Sequence, residues 1–165
     1  MHLGRFWRHV AMTPAHVRRA FPAATLDALQ REIAALEKRH GGQVCFIVEG
    51  ELHTAALWHD VTARDRARQL FAQQGVWNTE NNNGILIYVL LAERRVEIVA
   101  DRGIDRRVSP SDWERIVRQM EQLLGQARFE EAALAGIRGV SELLVAHFPP
   151  LGNGTNELSD RPLLI

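Results

Sequence analysis

Apolar residues along this chain recur at helical spacing in some stretches and run unbroken in others. The alternation of the two patterns marks the elements. Leu26, Leu29, Ile33 and Leu36 share one helical face; Thr25 stands where an N-cap belongs, and Gly41-Gly42 stops the helix. "QVCFIVEG", residues 43–50, is an apolar run rich in β-formers, which predicts a strand buried on both faces. Residues 51–61 fit no single period. Thr62 opens the next helix with Asp65 at N3, a weaker capping box, and Gly75 closes it.

Two further apolar runs, 85–91 and 96–100, are separated by the short charged turn "AERR", which predicts a hairpin. Ser109-Pro110-Ser111-Asp112 is a helix start with an N-cap serine, proline at N1 and an acid at N3. That helix runs to about Leu124. A last helix spans about 129–147 and ends at Pro149-Pro150; Gly136 and Gly139 inside it cost stability unless a neighbour approaches closely. The order predicts a three-layer α/β/α sandwich with a small mixed sheet: a parallel pair with a right-handed crossover, plus an antiparallel hairpin strand. Residues 1–21 form a basic arm, 22–148 the domain, and 149–165, which have no period, a disordered tail.

Composition narrows the class without naming a reaction. The 165 residues are 46% apolar, enough for one core. Twenty basic and twenty acidic residues cancel, so net charge gives no reason to expect nucleic acid. Cys45 is the only cysteine and sits in an apolar run, which makes it a small buried hydrophobe and excludes an internal disulfide. His53 and His59 are six apart and do not share a helical face, which argues against zinc. Trp58, Trp77 and Trp113 are expected as core or loop anchors. No signal-peptide h-region and no run of membrane-spanning length is visible, so the expectation is a cytoplasmic protein, peripheral at a membrane if the arm engages one. Phe6, Trp7 and Val10 lie among Arg5, Arg8, Arg18 and Arg19, a basic amphipathic surface suited to anionic lipid. The alternative is an arm docked on the domain or left mobile.

The chemistry gathers around the hairpin. A tight turn places residue 86 beside about residue 101, and residue 82 beside about residue 105. Glu80, Asn81, Asn82, Asn83, Asp101, Arg102 and Asp105 then converge on one end of the sheet, near Gly84 and Gly103. Two chemistries fit. Glu80, Asn82, Asn83, Asp101 and Asp105 offer hard oxygens to calcium or magnesium. Arg102, Arg106, Arg107 and Ser109, at the start of the next helix, suit an anion such as phosphate. Polar loops that merely cap strands are the plain alternative. No organic-cofactor motif is present. Ser109 and Ser111 read as caps, and Gly-x-Ser-x-Gly is absent, so a serine hydrolase is not expected.

"NNGILIYVLLAERRVEIVADRGI" resembles the central motif of the TPM-domain family over about residues 22–148. Asn83 and Gly84 match its Asn-Gly, Arg94 its turn arginine, Ile98 a strand isoleucine and Gly103 its second glycine. Asn82 stands where the family usually has aspartate, and Asp101-Arg102 replaces Gly-Tyr. The resemblance implies an α/β/α sandwich. It also implies calcium binding or phosphatase activity in some members, and in others an accessory role in membrane complexes, including photosystem II repair. Two functions follow as expectations. One is a binding domain that uses the 80–84 and 101–107 loops with a membrane-associated protein partner. The other is a metal-assisted phosphatase on the same loops.

Overall fold

The structure, a computed structural model, describes residues 3–150 and 156–165. The elements are α1 (Leu3–Val10), α2 (Pro14–Ala20), α3 (Ala23–Glu37), β1 (Gln43–Glu49), α4 (Thr54–Trp58), α5 (Ala63–Gln73), β2 (Gly84–Leu90), β3 (Arg95–Ala100), α6 (Arg102–Asp105), α7 (Pro110–Gly125), α8 (Phe129–His147) and β4 (Leu163–Leu164). The sheet order is β3-β2-β1-β4: β1 pairs in parallel with β2 and β4, and β2 pairs antiparallel with β3. The predicted sandwich is therefore present. Alternation divides its core. Phe46, Val48, Ile85, Ile87 and Ile98 join α3, α7 and α8 on one face; Ile47, Leu86, Tyr88 and Leu90 join α4 and α5 on the other.

Both central strands are buried at every position, because helices cover both of their faces. Cys45 is buried there, and burial pushes its thiol up to about 11. Thr62 and Asp65 form the full reciprocal capping box of α5, and Ser109 caps α7 as its sequence predicts. At Gly136 an added Cβ would collide with Met120, and at Gly139 it would meet Ile116 at 3.0 Å. The two glycines let α8 lie close on α7, which offsets their helical cost.

Several expectations need correction. Thr25 is not an N-cap: Pro22 holds that position, and Thr25 is buried one turn in, where its hydroxyl donates to Glu130. Residues 54–58 form a short helix in the ambiguous stretch. Over residues 156–165 the segment 149–165 does not behave as a disordered tail; its residues 151–155 lie outside the described residues. Leu163 and Leu164 extend the sheet beside β1, and the Gln43 side-chain oxygen accepts from the Glu157 and Leu158 N–H groups (2.8 and 2.9 Å). The open edge of β1 supplies unpaired backbone groups, so a segment with no amphipathic period of its own is held by them. Trp58 and Trp77 are exposed rather than core anchors.

The arm is docked. His9 is buried, its Nδ1 accepts from the Leu52 N–H (3.0 Å), and Nε2 therefore carries the hydrogen that meets Glu93 at 2.9 Å. Arg5 donates to the same carboxylate at 2.7 Å. The His9 hydrogen bond, then Arg5, hold the Glu93 carboxyl down to about 2 against the opposing effect of burial. At the far edge of the sheet, Arg64 donates to the Ile98 carbonyl and Glu121 accepts from the Val96 N–H at 3.1 Å.

Candidate functional site

The end of the sheet where β2 begins and β3 finishes is built by backbone first. The register pairs Leu86 with Val99 and Ile85 with Ala100, two residues tighter than the hairpin spacing predicts. The Asp101 N–H reaches the Gly84 carbonyl and the Gly103 N–H reaches the Asn82 carbonyl, both at 2.9 Å. Residue 82 thus faces Gly103 rather than Asp105. The predicted offset counted a tight turn of fixed length, whereas Leu91 and Ala92 continue past β2 and bond back to Glu49 and Gly50. A Cβ on Gly103 would collide with the Asn82 carbonyl and stand 2.8 Å from the Asn81 carbonyl. Asn82 itself has φ +52, a left-handed conformation that asparagine tolerates better than most residues. Asn82 and Gly103 are therefore the lock between the two loops.

The remaining predicted residues fall into three groups. Asn83 and Asp101 are buried. Asn83 Nδ2 donates to the Gly41 carbonyl at 2.7 Å, and its N–H to Thr79 Oγ1 at 3.1 Å, while Oδ1 meets no donor among the described residues. Asp101 caps the one-turn α6, with Oδ1 accepting from the Arg102 N–H at 2.7 Å and Oδ2 meeting no donor among the described residues. Glu80, Arg102, Asp105 and Arg106 are exposed, and Asp105 lines the groove between β3 and α7 with Val96, Ile98 and Trp113. The third group is structural. Arg107 donates to the His147 carbonyl at 2.8 Å and lies 4.6 Å from the Phe148 ring centre, so it holds the end of α8. Ser109 is occupied by its cap and by Asp112, which puts a carboxylate where an anion would have to sit.

Among the described residues no group of three His, Cys, Asp or Glu converges as a metal-ligating cluster. The donor set for a cation is accordingly sparse: one buried carboxylate oxygen, one buried amide oxygen and exposed carboxylates at the rim. Hard oxygens of this kind fit calcium or magnesium in type, and their small number fits a weak site. Sequence reasoning missed Glu157, whose carboxylate accepts from the Glu80 N–H (3.1 and 3.3 Å) and brings a further acid to this end. No pattern in the tail could have placed it there.

His40 lies beside this end, buried, with Nδ1 accepting from the Gly42 N–H at 3.3 Å. Burial, with Arg39 adding to it, pushes its imidazole down to about 4 from an ordinary 6.5. The unfolded chain then binds the more protons between those values, so His40 removes stability as the pH falls from 6.5 towards 4. Thermal melts of the wild type and His40→Asn across that window should show the wild type losing ground on acidification. A constant difference between the two curves would mean that His40 titrates normally.

The opposite end of the sheet holds a second polar cluster that the spacing arguments passed over. Glu49, at the end of β1, is buried and receives Arg66 through two nitrogens at 2.9–3.1 Å and the Tyr88 hydroxyl at 2.6 Å. Burial, then the Glu49 carboxylate, push the Tyr88 phenol up. One acid in an apolar strand and the only tyrosine of the chain were the available signals.

An α/β/α sandwich with two interlocked polar loops at one end defines a class, and comparison with known proteins gives its family. The TPM domain family profile matches residues 18–143, and the chain belongs to that family. Its fold is similar to the solution structure of the BA42 protein from the psychrophilic bacterium Bizionia argentinensis, with TM-score 0.77 and 24% identity over 88% of this chain and 95% of that one. It also resembles the N-terminal domain of a P. gingivalis protein, with TM-score 0.61 and 21% identity over 79% and 82% of the two chains. The N-terminal domain of a Corynebacterium glutamicum protein is more distant, at TM-score 0.53 and 12% identity over 74% and 72%. Among curated proteins, none matches this chain. No helix among the described residues is long and apolar enough to cross a membrane.

Proposed function

We propose that this chain is a binding domain of the TPM family that takes a divalent cation weakly between its 79–84 and 101–105 loops and works with a membrane-associated protein partner. One observation carries the cation reading. Asn83 Oδ1 and Asp101 Oδ2 are buried oxygens with no donor among the described residues, on loops joined through the Asp101–Gly84 and Gly103–Asn82 bonds. A buried acceptor left unpaired is costly, and a cation satisfies it. Glu80 and Glu157 supply negative charge at the rim. The membrane-associated partner is supported by the family resemblance alone. Bound calcium would tie the loops together. Among the described residues the one hydroxyl within these loops, Thr79, is buried and accepts from the Asn83 N–H, and Ser109 and Ser111 are engaged with each other and with Asp112. Binding is therefore preferred to a metal-assisted phosphatase.

Titration with calcium and with magnesium, followed by amide NMR, tests the reading. Amides of both loops should shift together, with an affinity of about 10⁻⁴–10⁻³ M. Asp101→Asn should weaken it further. Loops that stay unmoved at millimolar cation would leave their polar residues as strand caps and remove the proposal.

A further inference from the structure

Docking of the arm creates a feature at the other end of β2. Between α1, α2 and the β2–β3 turn lies a cavity of about 490 Å³. That size is within the range of small-molecule sites. Arg8, Arg19 and Arg94 line it together with His16. None of these three arginines makes an ion pair with a carboxylate among the described residues; Arg8 reaches only the Gly4 carbonyl, at 3.3 Å. The one acid on the wall, Glu93, is already matched by Arg5 and His9. Three exposed arginines from three separate elements therefore line one space with no carboxylate partner among the described residues. Leu91, Ala92, Met12 and Phe129 give the same cavity an apolar side.

The backbone also fixes the position of Arg94. Its φ is +52, a strained value for an arginine, and its N–H bonds to the Leu91 carbonyl at 3.1 Å. Asparagine or glycine would close such a turn with less strain, so the turn alone does not explain an arginine here. Arginine forks match phosphate oxygens, and an apolar wall accepts carbon chain.

We infer that this cavity is a binding site for a phosphate group carried on an apolar body. The shared chemistry is a phosphomonoester or phosphodiester, either as a lipid headgroup or as a soluble organic phosphate. The site is separate from the cation-binding loops: the seven residues of β2 hold the two apart by roughly 20 Å. Failure of one reading leaves the other standing.

Three probes test it on the full chain by amide NMR: inorganic phosphate, a monomeric short-chain phosphatidylglycerol, and vesicles of phosphatidylcholine with or without phosphatidylglycerol. Inorganic phosphate should shift the amides of residues 91–94 and of α2. The short-chain lipid should shift the same amides with at least about tenfold higher affinity, since burial of two methylenes suffices for that factor. Binding to vesicles that contain phosphatidylglycerol, beyond that seen for the monomer, assigns the lipid source. The same tighter binding of the monomer with no vesicle binding assigns the soluble one, and a monomer that binds no tighter than inorganic phosphate overturns the apolar body. Arg94→Asn keeps the turn conformation and should reduce phosphate affinity several-fold, as should Arg19→Gln. Arg118→Gln, on the remote α7, should not. The inference is overturned if neither phosphate nor the monomeric lipid shifts residues 91–94. It is overturned equally if vesicles alone bind, which is surface adsorption, or if Arg94→Asn and Arg19→Gln together leave binding unchanged.

Discussion

Replacing Glu49 by alanine is expected to lower the unfolding free energy by about 3–5 kcal/mol, the usual cost of removing one partner of a buried ion pair. Glu49 is 3% exposed and accepts from both Arg66 and Tyr88. Alanine would leave a fully buried phenol on β2 and a mostly buried guanidinium on α5 without this acceptor. Glu49→Gln keeps an acceptor for Tyr88 and removes only the charge, so its loss should be the smaller. Urea unfolding of the three proteins checks both statements. A Glu49→Ala loss below about 1 kcal/mol would place the pair among weak surface bridges and discard the argument.

Ile87→Ala should cost about 2–5 kcal/mol, through lost transfer energy and the cavity left behind. Ile87 has no exposed surface and lies between Phe46 on β1 and Ile98 on β3. The parallel pair and the hairpin share this residue, so neither neighbour can collapse into the space without breaking its own register. For a chain of this length the melting temperature should fall by roughly 10 °C. An unchanged melting temperature would contradict the central placement of β2.

What the sequence made legible follows the strength of each local signal. β1 and β2 are continuous apolar runs bounded by glycine or polar residues, and both lie where those runs lie. Ser109-Pro110 and Thr62-Asp65 are capping signals that act within one turn, so they needed no tertiary information. Thr25 failed because a threonine buried against Glu130 looks, in sequence, like a threonine capping a helix. β4 failed for a different reason: two leucines gain their pairing only from the edge of β1, more than a hundred positions earlier, and no local pattern encodes that. At the candidate site, sequence placed the two loops at the same end, where they do meet, but missed the register by two. That error paired Asn82 with Asp105 instead of Gly103. Of the candidate ligands, Asn82 also holds a left-handed turn, Arg107 a helix end and Ser109 a cap.

The outer strand β3 has its own consequence. An exposed sheet edge ordinarily invites another strand. Here Arg64 already occupies the Ile98 carbonyl and Glu121 the Val96 N–H, each from a helix that belongs to the same fold. A newcomer strand pairing through these two groups would have to displace both side chains. Self-association by sheet extension is thereby discouraged on that side, and β4 already covers the edge of β1. Recruitment of another molecule is left to the cavities and loop ends, where side chains rather than main chain choose the companion.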